Sequence, residues 1–507
     1  MAHRDQDELF GIPNQLVMDP VHGGIAFFEH EKLVLDHPLF QRLRWIVQND
    51  ITSLVFPGAT HTRFQHSQGA MHIAGRLWKS MVRGYLSDPK ISRKNKITER
   101  QASAIRYFNF LIRLAALLHD TGHFPFSHQL ESSRKVRELL HDKNLFENLW
   151  AGVRWQRYYD QTPKALTHEH YSVRCAHEIL SRTLVNRNEV EFHDVLALME
   201  GTTCLTTKRF ENAAWDALSL LVRSQDALTG LDRKEVAATF KNFFQNIISG
   251  ELDVDKMDYL LRDSFYSGCH YGVYNLDHLL STIRIGFAPP GAKTWVGLTI
   301  TDKGIVPLED FVYARFQLYQ DLYSHKTVVG FKWLLGRAVD EIMVSDAETL
   351  SFSQKSLVNM ESFSDFTDTF LWERLRSHAR KLPHSAASQL LARRKLKHLV
   401  TRRDLVSFEK DKLVLELAKR NNSEVIYYES PIRFSKMSKS YEKIRVLHSN
   451  PLDEHGRRSL EAIQRHSTFF EKFQDLVISH FYVKPSLDLS TSSPRRKLSK
   501  SKKHSAA

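Results

Sequence analysis

The chain has 507 residues, of which 42% are hydrophobic and 25% charged, and its formal net charge is +13. These fractions are typical of a soluble globular protein with about two to four domains, and they exclude wholesale disorder. Because no segment approaches the roughly 18 apolar residues of a membrane span and the N-terminal residues are polar, we expect a cytoplasmic protein with no membrane partner.

Helical periodicity dominates the first two-thirds of the chain. Apolar residues at i, i+3 and i+4 spacing predict helices over Ala70–Val82, Ala104–Leu118 and Ala213–Leu228. Strand-like alternation is rarer and is found at Thr294–Thr301, before the turn 302–304, and again at Glu424–Tyr428. The sequence therefore predicts a mostly α-helical fold with a small β element.

The C-terminal third has fewer motifs and is more basic. A basic helix is predicted over residues 390–403, and we place a soft domain boundary after residue 340. The expected organisation is a core at 1–340, a mainly helical basic region at 341–484 and a disordered basic tail at 485–507. The tail carries six Lys or Arg against one Asp. Such a segment is either a solvated tail or a weak contact for nucleic acid.

Residue types that bind metal ions stand at three places. His66 lies just inside a predicted helix, His119 and Asp120 close the apolar helix, and Asp255 lies in the string ELDVDKMDYLLRD. Imidazole nitrogens and carboxylate oxygens without thiolates suit Mn, Fe, Zn or Mg. A lone histidine at a helix end is usually structural, but burying an adjacent His-Asp pair without a ligand would be costly.

Further histidines and cations follow these positions. Gly122 and Pro125 favour a tight loop, so His123 and His128 can turn back toward the helix end, and His168 adds one more imidazole. Histidines beside a metal can move protons or orient an attacking water. Cations that could neutralise phosphate charge, rather than simply face solvent, are Arg63, Lys256, Arg262 and Arg315.

These residues resemble a known family. The order His66, His119-Asp120, Asp255 resembles the H…HD…D signature of the HD-domain phosphohydrolases. The strings FPGATHTRFQHSQG, LLHDTGHFPFSH, THEH and LDVDKMDYLLRD are similar to the branch of SAM-and-HD-domain deoxynucleoside triphosphate triphosphohydrolases and bacterial dGTPase-like proteins. The resemblance covers about residues 15–335, and we expect no SAM domain before it.

The resemblance implies a role for each matching residue. The implied metal ligands, for a divalent ion (Mn, Mg, Fe or Zn), are His66, His119, Asp120 and Asp255. The implied catalytic histidines beside the α-phosphate are His123, His128 and His168. The implied triphosphate contacts are Arg63, Lys256, Tyr259 and Arg315; Gln48 and Asp263 match the readers of the sugar 3′-hydroxyl, and Tyr323 matches a ring against the deoxyribose. The resemblance also implies a homo-oligomer.

Several positions depart from the family pattern. Asn49 stands where the family has an apolar residue against the sugar, Tyr319 replaces a histidine and Ser324 replaces a glutamine. These changes leave base preference and sugar discrimination open, whereas they do not touch the implied metal ligands.

An effector site is a further implication. Asp36, Gln41 and Arg44 match positions that read guanine in an activating nucleotide, although Gln15 replaces an expected lysine. The same residues could instead have only a structural role at the start of a helix, with Asp36 as its N-cap before His37-Pro38 and with Phe40 and Leu43 packed in a core.

The expected function is metal-dependent hydrolysis of deoxynucleoside triphosphates, in the manner of a dGTPase, to deoxynucleoside and triphosphate. A second candidate is an HD phosphohydrolase that acts on another nucleotide or phosphoester. A third is a nucleic-acid-binding regulatory HD protein that uses its basic C-terminal region. The set of four implied ligands and three further histidines argues against binding alone.

Overall fold

A computed structural model describes residues 8–87, 97–184, 188–221, 230–287, 296–404, 410–432, 444–452, 458–472 and 476–485. The first helices are α1 (Glu29–Leu35), α2 (Pro38–Gln41), α3 (Arg63–Leu86), α4 (Glu99–Leu118), α5 (His128–Ser132), α6 (Arg134–Leu140), α7 (Leu145–Leu149), α8 (His168–Thr183), α9 (Phe192–Leu198), α10 (Lys208–Leu221), α11 (Arg233–Ile248), α12 (Val254–Ser267) and α13 (Leu276–Thr282). They are followed by α14 (Ile305–Leu318), a π-helical turn (Tyr319–Tyr323), α15 (Lys326–Ser345), α16 (Ala347–Ser356), α17 (Met360–Asp365), α18 (Asp368–Lys381), α19 (Ala386–Leu391), α20 (Lys410–Asn421) and α21 (Thr468–Lys472). The predicted mainly helical fold class is confirmed.

The strands form three small sheets. They are β1 (Gln15–Asp19), β2 (Gly23–Phe27), β3 (Ile283–Phe287), β4 (Val296–Thr301), β5 (His398–Asp404), β6 (Val425–Ile432), β7 (Arg445–Leu452), β8 (Arg458–Ala462) and β9 (Leu476–Val483). β1 pairs with β2, a second sheet has the order β3-β4-β7-β8, and a third has the order β5-β9-β6. Within the second sheet β4 and β7 are parallel, and the other pairs are antiparallel.

Helices α3 and α4 form the centre of the core. Thr62 starts α3 with a capping box, in which its backbone N–H donates to Gln65 Oε1 at 2.9 Å, and Thr98 starts α4 in the same way. The two helices pack together, and Trp78 Nε1–H donates to the Ile105 carbonyl at 3.0 Å. The predicted helices over Ala70–Val82 and Ala104–Leu118 lie inside α3 and α4.

Two other predicted elements are present within the described residues. The third predicted helix corresponds to α10, and its residues 222–228 lie outside the described part of the chain. The predicted strands correspond to β4 and β6, although residues 294–295 are outside the described range and the turn at 302–304 is a single 3-10 turn.

The predicted basic helix over 390–403 is wrong. Helix α19 ends at Leu391, Arg393 adopts a left-handed conformation with φ of 52°, and β5 begins at His398. β5 pairs antiparallel with β9, which is more than 70 residues away in sequence, so a local window could not detect this pairing. The cations Arg393, Arg394, Lys395, Lys397, Arg402 and Arg403 therefore do not share one helix face.

The C-terminal region packs directly on the elements before residue 340. Helix α15 runs through the predicted boundary, and His480 Nε2–H of β9 donates to the Ser324 carbonyl at 2.7 Å. Tyr482 of the same strand donates its hydroxyl to the Lys326 carbonyl at 2.6 Å. The predicted tail beyond residue 485 lies outside the described residues. Among the helices that the structure describes, none is long and apolar enough to cross a membrane.

Candidate metal centre and active-site cavity

Four side chains from three helices meet beside the N-terminus of α3. His66 lies in the first turns of α3, His119 and Asp120 follow the end of α4, and Asp255 lies in the first turn of α12. His66 Nε2 is 3.1 Å from Asp255 Oδ1 and 3.6 Å from Asp120 Oδ2. His119 Nε2 is 3.4 Å from Asp120 Oδ1 and 3.7 Å from Asp255 Oδ1. Two imidazoles and two carboxylates thus face a common point.

The outer nitrogens of both imidazoles are held by the protein. His66 Nδ1–H donates to Asp258 Oδ2 at 2.8 Å, and His119 Nδ1–H donates to the Ala116 carbonyl at 2.7 Å. A carbonyl only accepts, so Nδ1 of His119 carries the proton and its Nε2 presents a lone pair. This arrangement, in which a carboxylate or a carbonyl orients the ring, is how metal-bound histidines are usually fixed.

The cluster fits a divalent cation. Nε2 of His66 and Nε2 of His119 are buried and make no hydrogen bond within the described structure, and the ligand atoms of His66, His119 and Asp120 lie within 4.8 Å of one another. Unpaired buried nitrogens are costly unless a ligand satisfies them. Nitrogen and oxygen donors without sulfur suit Mn, Fe, Zn or Mg, and the geometry does not select among these metals.

The carboxylates set the protonation of the cluster. Burial lowers the pKa of His66, but the carboxylates of Asp255 and Asp258 outweigh it and raise this pKa to about 10. For Asp120, burial raises the pKa, and the charges of Arg63, His119 and His123 outweigh this and hold it well below the usual value. A bound cation would compete with the proton on His66, so metal binding is coupled to proton release.

Three further histidines form a second cluster beside the first. The rings of His123 and His168 stack with centroids 3.9 Å apart, and His128 packs edge-on against both at 4.8 and 4.9 Å. His123 Nε2 is 3.3 Å from Asp120 Oδ1. Gly122 lets the loop that carries His123 pack closely on the backbone of α8, because a Cβ at this position would lie 2.0 Å from the Ser172 nitrogen.

The three imidazoles differ in protonation. Burial and the charges of Arg63 and His168 hold the pKa of His123 well below its usual value. Burial, with His168 and Arg63, lowers the pKa of His128 to about 3. For His168, burial is outweighed by Glu131, whose Oε1 lies 3.1 Å from Nδ1, and by Glu169, so its pKa is raised. The cluster therefore contains two neutral imidazoles and one that retains its proton more strongly.

Both clusters open into one cavity of about 510 Å³. Its wall contains all of the residues proposed from the motifs for the metal, the catalytic histidines and the substrate except His66 and Arg262, which are fully buried and do not line it. These wall residues are Gln48, Arg63, His119, Asp120, His123, His128, His168, Asp255, Lys256, Tyr259, Asp263, Arg315 and Tyr323.

The family model for the HD domain matches residues 63–201. An uncharacterized protein of Methanocaldococcus jannaschii is 29% identical over 366 residues, which cover 71% of this chain and 57% of that protein. The deoxynucleoside triphosphate triphosphohydrolase SAMHD1 of Bos taurus is 26% identical over 383 residues, 72% of this chain and 54% of that protein. This chain therefore matches little more than half the length of these relatives.

Two solved structures share the fold. A phosphohydrolase from Bacteroides thetaiotaomicron has a TM-score of 0.58 at 20% identity, with 93% of this chain and 99% of that chain covered. A hypothetical protein from Aquifex aeolicus has a TM-score of 0.57 at 22% identity, with 92% and 96% covered. The similarity to HD-domain phosphohydrolases that the motifs indicated is confirmed.

The cations proposed to neutralise phosphate charge divide into two groups. Arg63 donates to the Asp120 carboxylate and, at 2.9 Å, to Ser127 Oγ, while Lys256 donates to the Gly250 carbonyl at 2.6 Å; both still line the cavity. Arg315 lies 4.9 Å over the Tyr319 ring at the cavity wall. Arg262, in contrast, is fully buried outside the wall, with Nε 2.8 Å from Asp258 Oδ2. The interpretation of Arg262 as a phosphate-facing cation is wrong.

The residues expected at the sugar also lie together. Asp263 accepts hydrogen bonds from the Tyr323 hydroxyl and, at 2.6 Å, from His61 Nε2. The Tyr319 and Tyr323 rings pack edge-on with centroids 5.0 Å apart. Gln48 Oε1 is buried with no hydrogen-bond partner in the described structure, which leaves it available to a ligand hydroxyl.

The proposed effector residues lie elsewhere. Asp36 is exposed and is the C-cap of α1, while His37 is the N-cap of α2, so the expectation that Asp36 starts the helix is wrong. Arg44 Nε donates to Gln41 Oε1 at 2.7 Å, and its guanidinium lies 3.6 Å over the Phe64 ring. Phe40 and Leu43 are buried, as expected.

Several residues of the site were missed by sequence reasoning. Asp258 accepts a hydrogen bond from His66 and is also contacted by His22. Glu131 orients His168. Asp50 and Lys332 form an ion pair in the cavity wall. Asp258 follows Asp255 by three residues, and this spacing on one helix could have indicated a supporting carboxylate. The partners His22 and Lys332 come from distant segments and had no local signal.

Proposed function

We propose that this chain hydrolyses deoxynucleoside triphosphates to deoxynucleoside and triphosphate by attack of water on the α-phosphorus. The observation that carries the proposal is a single cavity that joins a metal-ligand cluster, a histidine cluster, several cations and polar groups suited to a sugar. The name of SAMHD1, a deoxynucleoside triphosphate triphosphohydrolase, supports the same substrate class.

The residues divide the chemistry between them. A divalent ion held by His66, His119, Asp120 and Asp255 would act as a Lewis acid that activates water and withdraws phosphate charge. The lowered pKa of His123 favours its unprotonated form, which would orient the attacking water, and the raised pKa of His168 beside Glu131 favours its protonated form, which would protonate the leaving 5′-oxygen. Arg63, Lys256 and Arg315 would neutralise the triphosphate.

The sugar end favours a deoxyribose. Gln48 and Asp263 offer a pair of polar groups for the 3′-hydroxyl, and a site built to hydrogen-bond a hydroxyl strongly rejects ligands that lack it. The Tyr323 ring, fixed by Asp263, would pack against the sugar and exclude a 2′-hydroxyl. Asn49 also lines the cavity, so a 2′-hydroxyl has one polar neighbour that would weaken this exclusion.

The experiment is a product assay. The protein is incubated with four deoxynucleoside triphosphates and with Mg, Mn, Fe or Co, and triphosphate is separated from diphosphate and phosphate. We expect metal-dependent triphosphate release that His119→Ala abolishes and that His278→Ala, at an exposed position, leaves unchanged. Release of phosphate or diphosphate, or turnover of another phosphoester alone, would favour the second candidate function. Salt-sensitive oligonucleotide binding without turnover would favour the regulatory one.

A further inference from the structure

A buried ion pair forms part of the cavity wall. Lys332 Nζ, on α15, lies 3.1 Å from Asp50 Oδ2, and the two side chains are 13% and 7% exposed. Both residues line the same cavity as the metal-ligand cluster. Neither residue belongs to the motifs that carry the family resemblance, and the proposed function gives the pair no role.

Stability alone does not account for the pair. Burial raises the pKa of Asp50, which means that the site disfavours its charge, and Lys332 only partly compensates. Asp50 has a φ of 45°, in the left-handed region that aspartate and asparagine tolerate better than most other residues. A buried ion pair adds little net stability over apolar residues of similar volume. The cavity-facing pair is therefore a candidate for ligand recognition.

Asp50 and Lys332 are close in sequence to residues expected at the nucleoside. Asp50 follows Gln48 and Asn49 directly, and α15 begins three residues after Tyr323. The cations assigned to the triphosphate are Arg63, Lys256 and Arg315, which come from α3, α12 and α14. A base attached to the sugar is the part of the ligand for which no other recognition group has been identified.

The hydrogen-bonding capacity of the pair is only partly used. Asp50 Oδ1 accepts the Ile51 N–H at 2.5 Å, and Oδ2 faces Lys332. Each carboxylate oxygen has a second lone pair, and an ammonium group has three N–H donors. The wall thus offers two acceptors next to a donor.

We propose that Asp50 and Lys332 recognise the guanine base of the nucleotide substrate, an inference that rests on the proposed function. Guanine presents O6 as an acceptor beside two adjacent donors, N1–H and the 2-amino group. Lys332 would donate to O6 while Asp50 accepts from both N–H groups. Adenine, cytosine and thymine lack an acceptor followed by two donors on this edge, so each would leave a buried group unpaired.

The test measures kcat/KM for dGTP, dATP, dCTP and dTTP. We expect dGTP to be preferred by at least about tenfold, the ratio expected when one buried polar group is left unpaired. The kcat/KM for dITP, which lacks the 2-amino group, should lie between the values for dGTP and dATP. Lys332→Met and Asp50→Asn should each raise KM for dGTP and thereby remove most of the preference for dGTP. The kcat/KM for dATP should change less than about threefold in both variants. Methionine keeps the length of Lys332, and asparagine tolerates the left-handed conformation at position 50. Lys208→Met, at an exposed ion pair on α10, is the matched control and should have no effect.

Two results would overturn the inference. One is a wild-type protein that hydrolyses all four substrates equally. The other is a Lys332→Met variant whose KM rises equally for all four, because that would assign Lys332 to the phosphates or the sugar. Calorimetric binding of dGTP and dATP to the wild-type protein in EDTA separates this inference from the proposed function. Tighter dGTP binding in EDTA, together with no triphosphate release in the separate product assay with Mg, Mn, Fe or Co, would support base recognition and refute the hydrolysis; equal binding would refute base recognition.

Discussion

Replacing Asp258 by asparagine should weaken metal binding although Asp258 is not itself among the ligands. Asp258 accepts hydrogen bonds from His66 Nδ1 at 2.8 Å, from His22 Nε2 at 2.6 Å and from Arg262 at 2.8 and 2.9 Å. An amide keeps the size of the carboxylate, but its nitrogen cannot accept. Each oxygen of Asp258 accepts from one histidine and from one N–H of Arg262, so two of these four hydrogen bonds must be lost.

The expected magnitude follows from the two roles of this carboxylate. Loss of a carboxylate that orients a metal-bound histidine typically costs 10–100-fold in affinity, or about 1.4–2.8 kcal/mol. The Arg262 guanidinium would retain only Asp19, at 2.8 Å, as a buried counter-charge. Breaking one partner of a buried ion pair costs about 3–5 kcal/mol of unfolding free energy, and we expect a loss of that order.

The assay is titration calorimetry with Mn²⁺ on protein whose folding is checked by thermal unfolding. Asp194→Asn is the matched control, because Asp194 is an equally buried carboxylate that accepts from Tyr107 Oη at 2.5 Å and Thr207 N at 2.7 Å but does not line the cavity. It should lower stability and leave the metal affinity unchanged. Folded Asp258→Asn protein that binds Mn²⁺ as tightly as the wild type would refute the reasoning, as would an equal loss of affinity in Asp194→Asn.

Four further outcomes are expected. His119→Ala or Asp120→Ala should abolish hydrolysis and lower bound metal, measured by elemental analysis, while the protein stays folded; full activity of Asp120→Ala would contradict the ligand assignment. Tyr323→Ala should narrow the preference for dGTP over GTP, and equal turnover of both by the wild type would show that the sugar is not discriminated. Burial raises the pKa of Asp368 to about 7, above its usual value in an unfolded chain. The unfolding free energy of the wild type should therefore fall relative to that of Asp368→Asn as the pH rises from about 4 to about 7. A constant difference in unfolding free energy between the two proteins would show that this carboxyl does not titrate in that range. Deletion of 485–507 should leave hydrolysis within about twofold and weaken single-stranded nucleic-acid binding at low salt, and loss of hydrolysis would show that this segment supports the site.

The parts of the site that were predictable from the sequence depend on residues that are close together in the chain. His119 and Asp120 directly follow Leu118, where both the predicted helix and α4 end, whereas His66 lies in α3 four residues before the predicted start at Ala70. The loop from Gly122 to His128 was also predictable, since Gly122 and Pro125 indicate a turn and the structure shows that no Cβ fits at Gly122. These features depend on neighbouring residues in sequence.

The parts that were not predictable depend on distant partners. Strand β5 forms by pairing with β9, and its basic residues looked helical when considered alone. Arg262 looked like a phosphate ligand, but Asp19, 243 positions away, and Asp258 hold it inside the core. Asp368 of α18 accepts the N–H of Val47 at 2.9 Å and of Phe126 at 2.7 Å, so the C-terminal region holds two segments of the cavity wall.

Hydrolysis in ¹⁸O-labelled water tests the central claim most directly. The account predicts that a deoxynucleoside triphosphate gives triphosphate carrying one ¹⁸O at the end that was the α-phosphorus, and a deoxynucleoside whose 5′-hydroxyl is unlabelled. Both products should require a divalent metal and an intact His119. Label in the 5′-hydroxyl, or label in phosphate or diphosphate with no triphosphate formed, would contradict it.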